Sequence, residues 1–374
     1  MREIDYWIWL SSLEGLGPVK AGKLLNTYQH PGIIYNLTET ELKQNRQLTP
    51  RNVGELMNAE KRERVNTINS LMIKNDIKLV TVFDSQYPEK LRQIYDPPIT
   101  LYYKGKFRVS ELSIAIVGSR RTTNYGAFSA KKLSYELGLR GVQIVSGLAR
   151  GIDSIAHEGC LDAGGKTVAV LGCGLDCIYP PENHTLFENI IKTGGLILSE
   201  YPPGMPPLQY NFPARNRIIS GISSGVLVVE AAKRSGSLIT ADYALEQGRE
   251  VFAVPGNIDC AYSKGTNQLI REGAKIVLSV EDILEEFDYK EDIDSGKSTK
   301  ASDKININPE ANIYKGLSTE EIRIVKIIQK GIHHIDEIIQ RSNISAKDIN
   351  NILFMLEMKG VIAQLPGKLF EMCI

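Results

Sequence analysis

The sequence has few cysteines and no long hydrophobic run. Its 374 residues include five cysteines, which are too few and too widely spaced for a disulfide framework. Cys173 and Cys177 lie close together, but no second Cys or His pair stands at zinc-ligand spacing, so we predict buried apolar side chains and no metal site. No segment approaches the roughly 20 apolar residues of a membrane-spanning helix, and the first residues lack the basic start of a signal peptide. These absences favour a cytoplasmic protein without membrane contact.

The sequence also lacks an excess of either charge. Lysine plus arginine and aspartate plus glutamate both total 44, so no overall field would draw the protein to nucleic acid or to a membrane. Binding of a polyanion must therefore depend on a local cluster of cations. The length suggests two or three domains, and 43% hydrophobic with 24% charged residues is an ordinary composition for globular domains.

Residues 76–288 carry the pattern of an α/β domain. Six apolar runs alternate with glycine turns and amphipathic segments, and such runs are typical of strands buried on both faces of a parallel sheet. The runs are LSIAIVGSR, VQIVSGLARG, KTVAVLGCG, GGLILSEY, GVLVVEAA and EVFAVPGN. We therefore predict a Rossmann-like, doubly wound, mostly parallel sheet. Ligands of such sheets bind beyond the carboxyl ends of the strands, which here include Gly118-Ser119-Arg120.

Two helical regions and a linker surround this domain. Residues 1–75 predict helices, and LEGLGPVKAGKLL resembles a helix–hairpin–helix element of a SAM-like domain, whose glycine hairpin can face a phosphate backbone. A purely structural helical hairpin is an equal alternative. Residues 289–315 are charged and polar, which predicts a linker. Residues 316–374 predict three helices and a short hairpin, the order of a winged-helix domain, with Ser318 and Glu321 as a capping box.

The predicted winged helix has no basic face. Winged helices often bind duplex DNA, but residues 316–374 hold seven Lys/Arg and seven Asp/Glu. The predicted recognition helix presents only Lys347, Asn350 and Asn351, against Asp348. The electrostatic attraction that dominates DNA affinity is therefore missing, and we favour a protein-interaction or regulatory role over DNA binding.

A candidate anion site follows the run GVLVVEAA. A dinucleotide fingerprint and a P-loop both fail, because Cys177 stands at the third glycine position of GCGLDC and GCLDAGGKT precedes a strand instead of following one. In KRSGSLITA, Ser235 or Ser237 can cap a helix that starts near Leu238, and Gly236 lets a ligand approach its N–H groups. A plain helix cap is the alternative.

Cations surround this helix start. Lys233 and Arg234 precede it, Arg215 and Arg217 stand one strand upstream in FPARNR, and Arg120 follows another strand. If the strand ends converge, these side chains form a basic pocket with backbone donors, in which Arg120 and Arg217 meet phosphates. Solvated surface arginines are the alternative.

Aromatic residues stand beside the arginines. Tyr210 and Phe212 next to guanidinium groups suggest base stacking together with phosphate contact, the combination used for single strands. Core packing is an equal alternative for Phe212. Arg215 and Asn216 can instead lock the FPARNR turn, since asparagine readily bonds nearby backbone groups.

Five motifs, taken together, resemble the DNA-processing protein A (DprA/Smf) family. They occur in order between about residues 80 and 287: AIVGSRRTTNYG, IVSGLARGID, AVLGCGLDCIYPPEN, FPARNRIISGIS and VVEAAKRSGSLITADYALEQGREVFAVPG. The resemblance implies a Rossmann-like domain that binds single-stranded DNA without cleaving it, protects incoming DNA and loads RecA during natural transformation. It also implies a homodimer with no cofactor. The DNA pocket that it assigns comprises Gly118, Ser119, Arg120, Phe212, Arg215, Asn216, Arg217, Lys233, Ser235, Gly236 and Ser237.

A second interpretation is a nucleotide-processing hydrolase. The lysine-decarboxylase-like phosphoribohydrolases have a related fold, with P-G-G-x-G-T at the helix start and a catalytic glutamate after it. Here RSGSLIT holds that place, and Asp242 and Glu246 are the only carboxylates nearby. We therefore favour a binding protein with no catalytic residue over this enzyme.

Overall fold

The computed structural model describes residues 1–287, 289, 317–342, 344–358, 361–365 and 367–372. The chain divides into two compact units, Met1–Glu291 and Asp292–Ile374. The predicted linker, residues 289–315, lies outside the described residues except for Tyr289.

Helices form the N-terminal part of the first unit. In chain order they are α1 (Glu3–Ser11), α2 (Gly17–Tyr28), α3 (Pro31–Asn36), α4 (Glu39–Gln44), α5 (Pro50–Met57) and α6 (Ala59–Lys74). The hairpin between α1 and α2 turns at Gly15 and Gly17, whose φ angles of 76° and 66° favour glycine. Trp9 and Ile68 of these helices share one hydrophobic core with Leu171 of the sheet described next, so helices and sheet stabilise each other.

Within the described residues, nine strands form one sheet. They are β1 (Lys78–Thr81), β2 (Thr100–Gly105), β3 (Ser113–Val117), β4 (Gln143–Ser146), β5 (Thr167–Leu171), β6 (Leu196–Ser199), β7 (Gly225–Val228), β8 (Glu250–Ala253) and β9 (Lys275–Ile276). Their order is β1-β2-β6-β5-β4-β3-β7-β8-β9. Of the eight strand pairs in this sheet, only β1–β2 and β2–β6 are antiparallel, so the predicted mostly parallel sheet is confirmed.

Helices cover both faces of this sheet. They are α7 (Glu89–Arg92), α8 (Asn124–Leu139), α9 (Ile152–Asp162), α10 (His184–Lys192), α11 (Asn211–Ile222), α12 (Gly236–Glu246), α13 (Lys264–Arg271) and α14 (Glu281–Leu284). Along β3, Ile114 and Ile116 pack with α8 and α9, whereas Ala115 and Val117 pack with α11 and α12. This alternation is the pleat of a strand buried on both sides. The chain is therefore doubly wound, and its strand order reverses between β3 and β7.

One segment differs from the sequence-based interpretation. FPARNR, which we expected to form a turn, lies in the first half of α11. Pro213 falls in the first turn of that helix, where its missing N–H breaks no intrahelical hydrogen bond, so proline did not stop the helix.

The second unit is a winged-helix domain, as predicted. It contains α15 (Thr319–Gln329), α16 (Ile335–Ser342), α17 (Ala346–Met358) and a hairpin of β10 (Ile362–Leu365) with β11 (Leu369–Met372). Its own core includes Ile328, Leu353 and Phe370. The predicted capping box is present, since the N–H of Ser318 donates to Glu321 Oε2 at 2.6 Å and the N–H of Glu321 donates to Ser318 Oγ at 3.3 Å. No helix of the described chain is long and apolar enough to cross a bilayer.

Candidate nucleic-acid-binding site

A cleft of about 720 Å³ opens at the carboxyl end of the sheet. It lies beside the ends of β3 and β7, where the strand order reverses and where doubly wound sheets bind their ligands. The loop after β3, the first half of α11 and the start of α12 line it. We call it the switch-point cleft. Nine of the residues that the resemblance assigns to DNA line it: Gly118, Ser119, Arg120, Phe212, Arg215, Asn216, Ser235, Gly236 and Ser237.

The loop after β3 and the loop after β4 pack so closely together that each needs a glycine at one position. A Cβ on Gly118 would lie 2.6 Å from Ile152 Cγ1, and one on Gly151 would lie 2.3 Å from the carbonyl oxygen of Ser119. Ser119 Oγ donates to the carbonyl of Arg121 at 2.6 Å and accepts from its N–H at 3.1 Å, which closes the turn. This tight packing directs the exposed side chain of the intervening Arg120 into the cleft.

The start of α12 offers backbone donors. Ser235 caps the helix, accepting from the N–H of Ser237 at 3.4 Å, and its hydroxyl lies 2.8 Å from that of Ser237. A Cβ added to Gly236 would meet nothing within 4 Å, so a ligand can approach the backbone closely at the start of the helix. The exposed Lys233 stands just before this helix but outside the cleft lining.

Arg215 lines the cleft and also ties the fold together. Its side chain is 3% exposed, and Nη1 donates to the carbonyl of Gly147 at 2.7 Å and to the carbonyl of Val170. These bonds join α11 to the ends of β4 and β5. Burial lowers the pKa of Arg215 to about 10 against the attraction of Asp153, so the guanidinium remains charged at neutral pH.

Two acidic side chains around the cleft already accept hydrogen bonds from the protein's own backbone and threonine groups. Asp153 Oδ2 accepts from the N–H groups of Gly147 at 3.1 Å and Ala149 at 3.4 Å, while burial raises the pKa of Asp153 above its usual range. Glu230 Oε2, under the loop after β3, accepts from Thr122 Oγ1 at 2.8 Å and from the N–H of Thr123 at 3.0 Å. Both side chains therefore hold loops in place.

The placement of Arg217 corrects the sequence-based site. Because FPARNR is helical, residues two apart point about 200° apart, so Arg215 and Arg217 face opposite sides of α11. Arg217 is 4% exposed, with Nε 2.8 Å from Asp96 Oδ2 and Nη2 2.8 Å from Glu200 Oε1. Burial alone would lower its pKa, but Glu200 and Asp96 outweigh burial and raise it. Arg217 is thus absent from the switch-point cleft, and its charge is already compensated.

The aromatic wall combines one expected residue with one that sequence reasoning missed. The half-buried Phe212 ring lies 5.5 Å from the Tyr179 ring, and the Arg120 guanidinium lies 5.6 Å from the Phe212 centroid. The residue that sequence reasoning missed is Tyr179. It lies in the segment after β5, and its place beyond the carboxyl end of a buried strand could have marked it as a candidate for the site. Asn216 does not lock a turn, since its Nδ2 donates to the carbonyl of Gly236 at 3.3 Å and joins α11 to α12.

Two further candidates gain no support from the geometry. No group of three or more His, Cys, Asp or Glu side chains able to bind an ion occurs in the described chain. Cys173 Sγ instead donates to the carbonyl of Cys177 at 3.2 Å, and burial raises the pKa of its thiol to about 12. Asp242 and Glu246, the carboxylates weighed for hydrolysis, are exposed on α12 and lie outside the lining of the switch-point cleft.

Comparison with known proteins gives a consistent result along the whole chain. The profile of DNA recombination-mediator protein A matches residues 78–288, and that of the DprA winged helix domain matches residues 308–368. Protein Smf of Synechocystis is 34% identical over 99% of this chain and 98% of its own. The DNA processing protein DprA of Streptococcus pneumoniae is 50% identical over 56% of this chain and 74% of its own.

Solved structures point to the same family. The X-ray structure of DNA processing protein A from S. pneumoniae covers 78% of this chain and 100% of its own at 40% identity, with a TM-score of 0.67. DNA processing protein A from Helicobacter pylori, studied for its single-stranded DNA binding mode, covers 58% and 99% at 33% identity, with a TM-score of 0.52. The chain therefore belongs to the DNA recombination-mediator protein A family, which includes the DprA and Smf proteins.

Proposed function

We propose that the protein binds single-stranded DNA in the switch-point cleft and acts as a recombination mediator. The observation that carries this proposal is the pairing of unpartnered cations with an open helix start. Among the described residues, the guanidinium groups of Arg120 and Arg121 have no hydrogen-bond or ion-pair partner, and both line the cleft. They line the same cleft as Gly236 at the start of α12, so a phosphate backbone bound there meets both positive charge and a helix N-terminus.

Single strands fit this site better than a duplex. The rings of Phe212 and Tyr179 lie beside Arg120. An aromatic ring can stack on a base only if that face of the base is not covered by the next base, as it is inside a duplex. Grooves that combine a cationic track with aromatic platforms bind single strands with little sequence preference. The H. pylori relative, studied for its single-stranded DNA binding mode, supports the same class of ligand.

We propose binding without catalysis at this site. Asp153 in the cleft lining and Glu230 under the loop after β3 bind backbone and threonine groups, which leaves neither placed as a general base. The rival function, hydrolysis of nucleoside monophosphates, would release the free base when the protein is incubated with these nucleotides. We expect no free base by chromatography after prolonged incubation, and a steady release would support the hydrolase instead.

Family membership supports three further proposals. The protein protects incoming DNA and loads RecA onto it during natural transformation, it works as a homodimer, and it acts in the cytoplasm. RecA filaments should assemble faster on oligonucleotides when the protein is present, and light scattering should give twice the mass of one chain. No acceleration of assembly would contradict RecA loading, and a monomer mass would contradict the homodimer.

The central test is DNA binding as a function of salt. Fluorescence anisotropy with single- and double-stranded oligonucleotides should show tighter binding to the single strand. Three to five phosphate contacts predict a slope of log affinity against log salt of about −2 to −3.5, at roughly −0.7 per contact. An affinity that does not change with salt would contradict a phosphate-binding cleft.

A further inference from the structure

A second cleft of about 720 Å³ lies on the other side of α11. The α1–α2 hairpin, the segment after β6, the first half of α11 and Tyr243 in the second half of α12 contribute to its walls. Three tyrosines line it, Tyr201, Tyr210 and Tyr243, and we call it the tyrosine cleft. Helix α11 separates the two clefts, with Phe212, Arg215 and Asn216 facing the switch-point cleft and Asn211, Ala214 and Arg217 facing the tyrosine cleft.

The charges of the tyrosine cleft do not suit phosphates. Its lining contains two arginines, Arg64 and Arg217, against three carboxylates, Glu14, Asp96 and Glu200. Arg217 is neutralised by two of these carboxylates. The switch-point cleft, by contrast, has three arginines and one aspartate in its lining. Phosphates therefore favour the switch-point cleft, and the tyrosine cleft needs an uncharged occupant.

The tyrosine rings are available to such an occupant. Tyr210 is 71% exposed, and among the described residues neither its ring nor its hydroxyl has a partner. The rings of Tyr201 and Tyr243 likewise make no aromatic contact within that part of the chain. Apolar side chains of the α1–α2 hairpin, such as Leu13, complete the wall. An exposed aromatic ring beside an apolar cleft gains free energy when a flat apolar surface covers it.

We infer that bases of a single DNA strand stack in the tyrosine cleft while the phosphates of the same strand are held in the switch-point cleft. This inference rests on the proposed function. The two clefts are neighbours across the start of α11, because Tyr210 directly precedes this helix and Phe212 lies in its first turn. Their Cα atoms are at most about 7 Å apart along the chain, so one strand reaches both rings. Aromatic platforms accept any base, so this subsite adds affinity without sequence preference.

Two lengths of oligothymidylate test the inference on the full chain. One of about 4 nucleotides carries no more phosphates than the three to five that the switch-point cleft is proposed to hold, so that cleft takes up all of it, whereas one of about 16 has further bases for the tyrosine cleft. Tyr210→Ala should weaken binding of the long oligonucleotide about 5- to 150-fold, the range that loss of one stacked base gives. Binding of the short one should stay within about twofold, and the salt slope should not change because no phosphate contact is lost.

Tyr210→Phe is the matched control. It keeps the ring and removes a hydroxyl that has no partner in the described chain, so it should bind both lengths as the parent does. Tyr210 is largely exposed, and a thermal melt should show that both variants fold like the parent.

The possible outcomes separate this inference from the proposed function. A parent protein that binds neither oligonucleotide contradicts the proposed function itself. A parent that binds both, with Tyr210→Ala indistinguishable from it on the long one, overturns the tyrosine cleft alone. Equal losses on both lengths, or equal losses in Tyr210→Ala and Tyr210→Phe, would also overturn stacking in this cleft.

Discussion

Two arginines that look alike in the sequence should behave differently when each is replaced by alanine. Arg120 is exposed in the switch-point cleft without an ion-pair partner in the described chain, whereas Arg217 is 4% exposed and bonded to Asp96 and Glu200. We expect Arg120→Ala to change DNA binding and leave stability intact. We expect Arg217→Ala to change stability and leave the electrostatics of DNA binding intact.

The magnitudes follow from these contacts. Removing one partner of a buried ion pair costs about 3–5 kcal/mol, because the remaining charge stays buried without compensation. The side chains of Asp96 and Glu200 remain 30% and 20% exposed, so water relieves part of that cost and we expect about 3 kcal/mol for Arg217→Ala. Arg120→Ala changes an exposed side chain and should shift stability by less than about 0.5 kcal/mol. The same substitution should flatten the slope of log affinity against log salt by about 0.7, the value of one phosphate contact on a single strand.

Both quantities can be measured on the same preparations. Urea unfolding gives the change in the free energy of unfolding, and fluorescence anisotropy over a salt series gives the slope. The refuting result is the reverse assignment, in which Arg217→Ala folds as stably as the parent and flattens the salt slope. Arg217 would then contact DNA, and the ion pairs with Asp96 and Glu200 would not describe the protein in solution.

Three further predictions concern other parts of the molecule. Phe212→Ala should weaken single-strand binding by about 1–3 kcal/mol without changing the salt slope, and a loss confined to the slope would rule out stacking. A chain lacking residues 292–374 should keep single-strand affinity within a few-fold, because the winged helix has no basic face; loss of nearly all binding would contradict this. Burial lowers the pKa of His157 to about 3, so the folded state excludes a proton that the unfolded chain binds below about pH 6.5. The contribution of His157 to stability should therefore be complete above pH 6.5 and fall by up to about 5 kcal/mol toward pH 3. His157→Gln should flatten the fall of stability in urea unfolding over this range, and an equal fall in the variant would refute the prediction.

The layout of the domain could be read from the sequence because it depends on local patterns. Each of the six apolar runs became a strand, since a run of β-branched residues between glycine turns has few other ways to be buried. The cap of α12 could be narrowed to Ser235 or Ser237 because a cap involves only neighbouring residues, and the structure shows that it is Ser235. Strand ends in a doubly wound sheet meet at one edge, which brought Arg120, Phe212 and Gly236 into one cleft.

What only the tertiary structure decided was the direction and the partner of each side chain. The basic residues of FPARNR predicted a cluster, but helical geometry turned Arg217 away from Arg215 and toward Asp96 and Glu200. Asp96 and Glu200 lie 121 and 17 residues before Arg217 in the sequence, so no local pattern could reveal the pairing. The tyrosine cleft has the same origin, because α1, α2, the segment after β6 and α12 meet there only when the N-terminal helices share a core with the sheet. Spacing along a chain determines which elements form, whereas packing between distant elements determines which charges remain free to bind a ligand.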